Sequence, residues 1–324
     1  MSVIQVQSPG LLTTVQDLGR EGFGPLGVSA SGAADPISLR LGNRLLGNPE
    51  GAAALEMTLL GGTFLFPQGA IIALTGSDFA ATLDGSPLAL WTSVKVKLGQ
   101  TLHVGATRSG ARCYLCVQGG IVVKPFLGSA STHLLSGLGG HQGRALRKGD
   151  VLRTGPVTAS FREKSITPQA LRYLSPRKAL RVTPGPQSDW FPKSSQQLFY
   201  KSAYRVAEES NRMGLRLAGP PIAQGSSGEM ITEGVSIGAV QITAGGLPII
   251  LFVEQQTTGG YAKIANVISA DLHSLGQLRP RDEIRFERVD WDTARALLLE
   301  QEQLLTSPDL FVRSCLSGCF SKPQ

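Results

Sequence analysis

Apolar residues recur along the chain with two different periods. Between Asp35 and Gly47 the period is helical, with Ile37, Leu41 and Leu45 at i, i+4 and i+8. Asp35 is placed to cap the first turn, Pro36 suits the first helical position, and Gly47 stops the helix. A second long helix is predicted over Asp292–Leu305. Its Ala294, Leu297, Leu298, Gln301 and Leu305 share one face, so it packs on the body of the protein rather than standing free. Ala270–Leu275 reads as a short helix.

Elsewhere the period is two. The stretch from Ile4 to Val15 is extended. Leu55–Phe66, Ala70–Thr75, Phe79–Leu83, Val94–Leu98, Thr101–Val104, Cys113–Val117 and Val151–Thr154 read as strands in the first half. Leu180–Thr183, Tyr204–Ala207, Leu215–Leu217, Ala239–Thr243, Pro248–Val253 and Glu283–Glu287 follow in the second. Asp84-Gly85 is a hairpin signal, and paired glycines at 61–62, 119–120 and 139–140 mark further turns. Pro280-Arg281-Asp282 reads as a turn. The fold class predicted from pattern alone is therefore mainly β.

Composition sharpens this. Glycine supplies 39 of 324 residues, well above the usual ~7%, while aromatics are only 6%. Such a chain makes many turns between short strands and excludes a long-helix bundle. The formal net charge of +7 is spread evenly: residues 1–155 hold twelve basic and eight acidic groups, and 156–324 hold nineteen and sixteen. One basic run, Arg162, Lys164, Arg172, Arg177, Lys178 and Arg181, has only Tyr173 among it, too few aromatics for nucleic acid, and reads as a solvated linker. No membrane partner is expected, because no run of 18 apolar residues occurs. The start of the chain lacks the pattern of a signal peptide, and with four cysteines a cytoplasmic location with reduced thiols is expected. The organisation expected is a β domain over 1–155, a linker over 156–178, a β-barrel domain with its terminal helix over 179–306, and a tail over 307–324.

Several motifs are excluded or discounted. No Walker loop or dinucleotide fingerprint is present. Gly234-Val235-Ser236-Ile237-Gly238 matches a nucleophile elbow, but a strand-like run follows where a helix is needed, so a plain turn is expected. Cys113 and Cys116 lie at an odd offset on one strand and should point to opposite faces, as core residues and not as a metal knuckle. Cys315 and Cys319 sit in the tail. None of the four histidines has ligand spacing; His141, in a glycine loop, is the one best placed for a role. No metal site is predicted.

Two segments stand out. Thr13–Arg20 continues through glycine-framed turns to Ser29, Ser31 and Asp35. Glu254–Tyr261 leaves an apolar strand as a dense set of donors and acceptors, with Gly259 and Gly260 allowing close approach.

These segments also carry a resemblance. Thr13-Thr14-Val15-Gln16-Asp17, Gly19-Arg20, Ser31-Gly32-Ala33, Ala54-Leu55-Glu56, Ser131-Thr132, Pro184-Gly185-Pro186, Ser210-Asn211-Arg212-Met213-Gly214 and Gln256–Tyr261 resemble the C subunit of the prokaryotic ATP-dependent 5-oxoprolinase. That family is also known as KipA, allophanate hydrolase subunit 2, or biotin-dependent carboxyltransferase-like, and is related to urea amidolyase. The chain departs from it at His133, where Asp is common, and at Arg281, where Gly is common.

The resemblance implies cyclophilin-like β-barrel domains. It also implies partners, 5-oxoprolinase subunits A and B, and a small amide substrate, 5-oxo-L-proline, opened to L-glutamate as ATP is split. ATP, with Mg2+ as its companion, is expected at the level of the complex, with nothing bound covalently and the chain inactive alone. Two other roles are implied: a carboxyltransferase acting on a urea-like amide, and a regulatory module that antagonises a kinase inhibitor. The expected catalytic residues are Asp17, Arg20, Glu56 and Arg212. The expected substrate-binding residues are Thr14, Gln16, Ser29, Asn211, Gln256, Thr257, Thr258, Gly259, Gly260 and Tyr261. The site is expected where the Gln16–Asp35 turns meet the Gln256–Tyr261 turn.

Overall fold

The computed structural model describes residues 2–157, 161–225 and 230–313. In the first half two antiparallel sheets pack face to face. The larger has seven strands in the order Ile121–Val122, Val151–Thr154, Val3–Ser8, Thr63–Phe66, Gln100–His103, Thr82–Leu83 and Ser86–Pro87. The smaller has five, Leu12–Gln16, Ala54–Thr58, Arg112–Val117, Ala70–Gly76 and Ser93–Val96. Ile4, Leu55, Phe64, Phe66, Leu74 and Leu115 fill the space between them.

Helix α1 (Pro36–Leu46) covers the other face of the smaller sheet. Asp35 caps it, accepting from Ser38 N at 3.0 Å, and Gly47 ends it in the left-handed region at φ 71°, as the sequence predicts. The helix lies close to the sheet because Gly42 has no side chain: a Cβ there would stand 2.5 Å from Cys116 Sγ. Arg112–Val117 is thus buried on both faces. Cys113 and Leu115 point into the sandwich, while Tyr114 and Cys116 point under the helix.

The second half closes into a barrel. Its strands run in the order Ala179–Pro184, Lys263–Val267, Ala239–Ile242, Pro248–Leu251, Gly214–Ala218, Tyr204–Val206 and Glu283–Arg288. The last pairs in parallel with the first, with Leu180 opposite Phe286. Helix α2 (Pro168–Tyr173) lies before the barrel, and helix α3 (Lys193–Lys201) contributes Phe199 to the barrel core, its ring stacked 4.5 Å from that of Phe286. The Lys263–Val267 strand and α3 have no counterpart in the pattern reading. Lys263 interrupts the one and polar residues dilute the other.

Three other expectations change. Leu55–Phe66 is two strands, broken at 59–62, where Leu59 takes a positive φ of 59°. Phe79–Leu83 shrinks to Thr82–Leu83, because Ala80 at φ 48° turns onto the Asp78 carboxylate, its N–H 2.7 Å from Oδ1. Within the expected linker, Lys164–Ile166 is a strand and Pro168–Tyr173 a helix. Lys164–Ile166 pairs with Phe311–Arg313, a strand from the expected tail, and Ile166, Ala170, Leu174 and Leu310 pack with α1. The basic run is only partly a set of solvated charges: Arg162, Arg172 and Lys178 are exposed, but three of its members are paired. Lys178 binds Asp282 at 2.8 Å, Arg181 binds Asp271 at 2.5 Å, and Arg177 binds Glu287 at 3.0 Å.

Ala270–Leu275 forms a short 3-10 turn followed by helix α4 (Leu272–Leu275). Helix α5 (Trp291–Thr306) packs through the predicted face. Gln301 donates to Ala270 O at 2.9 Å on the barrel side, and Leu305 joins the core under α1. Its Glu302 takes both Nη atoms of Arg40 at 2.7 Å. Among the described residues no helix is long and apolar enough to cross a membrane.

Candidate functional site

The first polar segment folds around Asp17. One carboxylate oxygen accepts from Gly19 N at 2.8 Å, Ser129 Oγ at 2.6 Å and Ser131 Oγ at 2.5 Å, and the other from Ala130 N at 2.6 Å. Asp17 therefore fixes the 129–131 loop against the end of its own strand. Gln16 and Thr14 lie beside it, buried, with Gln16 Nε2 donating to Thr14 Oγ1 at 3.0 Å and to Thr132 O at 3.1 Å.

Arg20 is 3% exposed. Its Nη2 donates to Ser131 O, its Nε donates to Phe126 O at 3.3 Å, and its guanidinium lies 5.5 Å from the centre of the Phe126 ring. Its Nη1 is buried with no hydrogen-bond partner among the described residues, as are Ser29 Oγ and Gln16 Oε1. Burial lowers the Arg20 pKa, and the charges of Asp17 and Glu254 offset this in part. The Gly139-Gly140 turn covers it: a Cβ on Gly139 would stand 2.9 Å from Arg20 Nη2.

Glu56 and Arg212 meet in the joint between the halves. Arg212 donates from Nη1 to Glu56 Oε1 at 2.5 Å, from Nη2 to Gly32 O at 2.6 Å, and from Nε to Glu254. The other Glu56 oxygen accepts from Ala34 N at 2.8 Å and Tyr114 Oη at 2.7 Å, and Tyr114 Oη accepts from Asp35 N at 2.7 Å. Burial pulls the Arg212 pKa down, but Glu56 and Glu254 more than offset it and hold the guanidinium charged. Burial, reinforced by Glu56, pushes Tyr114 well above the usual phenol value.

Gln277 completes the joint. Its Nε2 donates to Asp35 Oδ2 at 2.7 Å and its Oε1 accepts from Arg112 N at 3.0 Å. Glu254, Tyr114 and Gln277 are absent from the set expected from the sequence. Glu254 heads the polar run it singled out, whereas Tyr114 and Gln277 carry no local signal.

The second polar segment faces another space. Asn211, Gln256 and Tyr261 line a cavity of about 180 Å³ on the barrel, with Arg216 and Gln241. Gln241 Nε2 donates to Tyr261 O at 3.3 Å. Thr258–Gly259 is a short strand paired with Glu233–Gly234, and Thr257 O accepts from Val235 N at 3.1 Å. Glu233 bonds the buried Lys263 and, at 2.8 Å, Gln187 Nε2. The Gln16–Asp35 turns reach this segment at its base, where Ser31 N donates to Val253 O at 2.9 Å, and through the Arg212 link from Gly32 to Glu254. The expected residues thus form three neighbouring groups: a loop clamp on Asp17 and Arg20, an ionic joint on Glu56 and Arg212, and an open amide-sized cavity on Asn211, Gln256 and Tyr261.

The discounted motifs have structural explanations. Ser236 lies in a turn between two strands, without the helix an elbow needs. Cys113 and Cys116 are free, buried thiols raised well above their usual pKa by burial. His133 Nδ1 accepts from Ser136 N at 3.1 Å, an acceptor role that Asp fills equally well. His141 Nε2 lies 3.5 Å from Asp150, itself held by Arg144 at 2.8 Å. Arg281 has φ 72°, which explains a glycine preference there. Cys315 and Cys319 lie outside the described residues.

Residues 26–288 match the family of the carboxyltransferase domain, subdomain A and B. The chain is 39% identical over 303 residues to the C subunit of 5-oxoprolinase from Escherichia coli, covering 93% of this chain and 95% of that protein. It is 38% identical to the C subunit of 5-oxoprolinase from Haemophilus influenzae, over 89% of this chain and 92% of that one. The crystal structure of the K. lactis urea amidolyase superposes with a TM-score of 0.87 at 32% identity, covering 96% of this chain but only 21% of that one. The chain belongs to this carboxyltransferase-domain family, in the group that includes the C subunit of 5-oxoprolinase.

Proposed function

We propose that this chain is the C subunit of an ATP-dependent 5-oxoprolinase, working with the A and B subunits to open 5-oxo-L-proline to L-glutamate. The observation that carries the reading is the match to the Escherichia coli protein over 93% of this chain, which leaves only about 5% of that protein uncovered. The work belongs in the cytoplasm, where ATP is supplied.

The chemistry divides naturally. A lactam resists water, and phosphorylation of its oxygen by ATP makes the carbon electrophilic and provides a leaving group. This chain's own contribution is positioning. The cavity of Asn211, Gln241 and Gln256 offers amide donors and acceptors matched to a lactam N–H and C=O, with Tyr261 and Ile249 as its apolar wall and Arg216 for a carboxylate. Arg20 is the group in the clamp that fits a phosphoryl or carboxylate oxygen, since its Nη1 has no hydrogen-bond partner among the described residues. Reaching it requires the Gly139-Gly140 turn to move. Asp17, Glu56 and Arg212 act by holding these walls in place. ATP and its Mg2+ belong to the assembled complex.

The test is glutamate release from purified components. The A and B subunits and this chain together should release glutamate in step with ATP loss, and omission of this chain should abolish both. Robust turnover by A and B without this chain, or by this chain alone, overturns the reading. A chain that supports instead the carboxylation of urea by a biotin carboxylase belongs with urea amidolyase, to which the structural likeness also points.

A further inference from the structure

A cavity of about 310 Å³ lies on the other side of the joint, between α1, residues Gly76–Asp78 at the end of a strand of the smaller sheet, α2 and the start of α4. Its wall is divided. Ile37, Leu90, Trp91, Leu171 and Leu174 make an apolar bed, and Asp78, His273 and Gln277 make a polar end.

His273 is the informative residue. It is 5% exposed, and neither ring nitrogen has a hydrogen-bond partner among the described residues. A buried imidazole without partners forgoes two hydrogen bonds, each costly to leave unmade. Trp91 is the second. It holds a positive φ of 58°, unusual for a bulky residue, fixed by Trp91 N to Leu74 O at 2.8 Å and by Ile166 N to Trp91 O at 3.0 Å.

The charges on the wall have one sign. Asp35 and Asp78 line the cavity, and no lysine or arginine does; Arg108, which pairs with Asp78 Oδ2 at 3.3 Å, stands outside the lining. Beyond His273, Arg177 and Arg181 are turned to Asp271. Within the lining itself an anion would meet carboxylates and no cation. A neutral imidazole accepts from a protonated nitrogen, and an indole face attracts one.

We infer that this cavity is a second binding site, for a small flat heteroaromatic amine whose ring lies on Trp91 and whose N–H groups reach His273 and Asp78. The inference is independent of the proposed oxoprolinase role, because none of the residues it uses lines the Asn211–Gln256 cavity. The route from one to the other exists, since Gln277 and Asp35 line this cavity and also bond each other in the ionic joint.

The experiment uses the full chain with isotope-labelled histidine, its four imidazole signals assigned by single substitutions, and two probes of similar shape and opposite charge. Tryptamine should shift the His273 signals saturably. Indole-3-acetate should bind roughly tenfold more weakly or not at all, a difference of about 1.4 kcal/mol. Leu171→Trp, which fills the cavity, should abolish the tryptamine shift. Ser109→Phe, at an exposed position on the mouth, replaces it if the first variant does not fold. The inference is overturned if neither probe moves His273 at millimolar concentration, if both bind equally, or if the filled variant binds as the parent does.

Discussion

Arg212 Nη1 and Glu56 Oε1, 156 positions apart in sequence, lie 2.5 Å apart in the joint between barrel and sandwich. The pair is buried on both sides, with side-chain exposures of 6% and 2%. Because Glu254 and Gly32 hold the same guanidinium, one arginine fastens the barrel, the smaller sheet and the loop before α1.

Removing that arginine leaves two buried carboxylates without their cation. Arg212→Met should destabilise the chain by roughly 3–5 kcal/mol, the usual cost of breaking a buried pair from one side. Urea unfolding of the isolated chain measures this. Adding Glu56→Gln should cost much less than its own single effect, since the charge it removes is already unpartnered. Strict additivity of the two would show that the joint is not a coupled unit.

The sequence made α1 legible in full, because its cap, its apolar stripe and its stop are all local. The barrel strands with clean alternation were legible too. Lys263–Val267 was not, because a lysine whose partner Glu233 lies on another strand reads as a surface residue. The same limit governs the site. Asp17, Arg20, Glu56, Arg212 and Gln256 stood out as polar residues in glycine-framed turns or family segments. Their division into clamp, joint and cavity depends on contacts such as Gln277 with Arg112, 165 positions apart, which no local pattern encodes.

Cys113 and Cys116 show how a two-residue rule decides between chemistries. The odd offset places their sulfurs in different cores, one inside the sandwich and one under α1. Both should resist a thiol reagent in the native chain and react only as it unfolds, with no zinc bound. Stoichiometric zinc, lost when both become serine, would contradict the strand geometry.

Asp150 gives a pH signature. Arg144 grips its carboxylate with two bonds, at 2.8 and 2.9 Å, and with help from Arg147 N holds its pKa down to about 2. A carboxyl depressed in the folded state stabilises it above the ordinary carboxylate pKa, and that contribution is lost as pH falls through about 2. Asp150→Asn should therefore cost about 1–2 kcal/mol near neutral pH. The gap from the parent should narrow steadily below about pH 4 in acid unfolding. A gap that stays constant down to pH 2 would mean that the effect is steric rather than ionic.

The last prediction separates binding from support within the proposed site. Gln256 and Asn211 line the open cavity, where the proposed function puts the lactam. Arg20 lies under the Gly139-Gly140 turn, and the proposed role asks it to meet an anion once that turn moves. In the reconstituted complex, Gln256→Ala and Asn211→Ala should each raise KM by roughly tenfold, the loss of about one hydrogen bond to substrate, and leave kcat nearly intact. Arg20→Lys keeps the charge but loses the planar fork that holds Ser131 O and Phe126 O together. It should lower kcat by tenfold or more and change KM little, because the fork serves an oxygen whose charge grows during the reaction. Assembly with the B subunit, followed by size-exclusion chromatography, distinguishes the cases. If Gln256→Ala assembles normally and keeps the parent KM, the cavity does not hold the amide. If Arg20→Lys changes only assembly, the clamp belongs to the interface between subunits and not to catalysis.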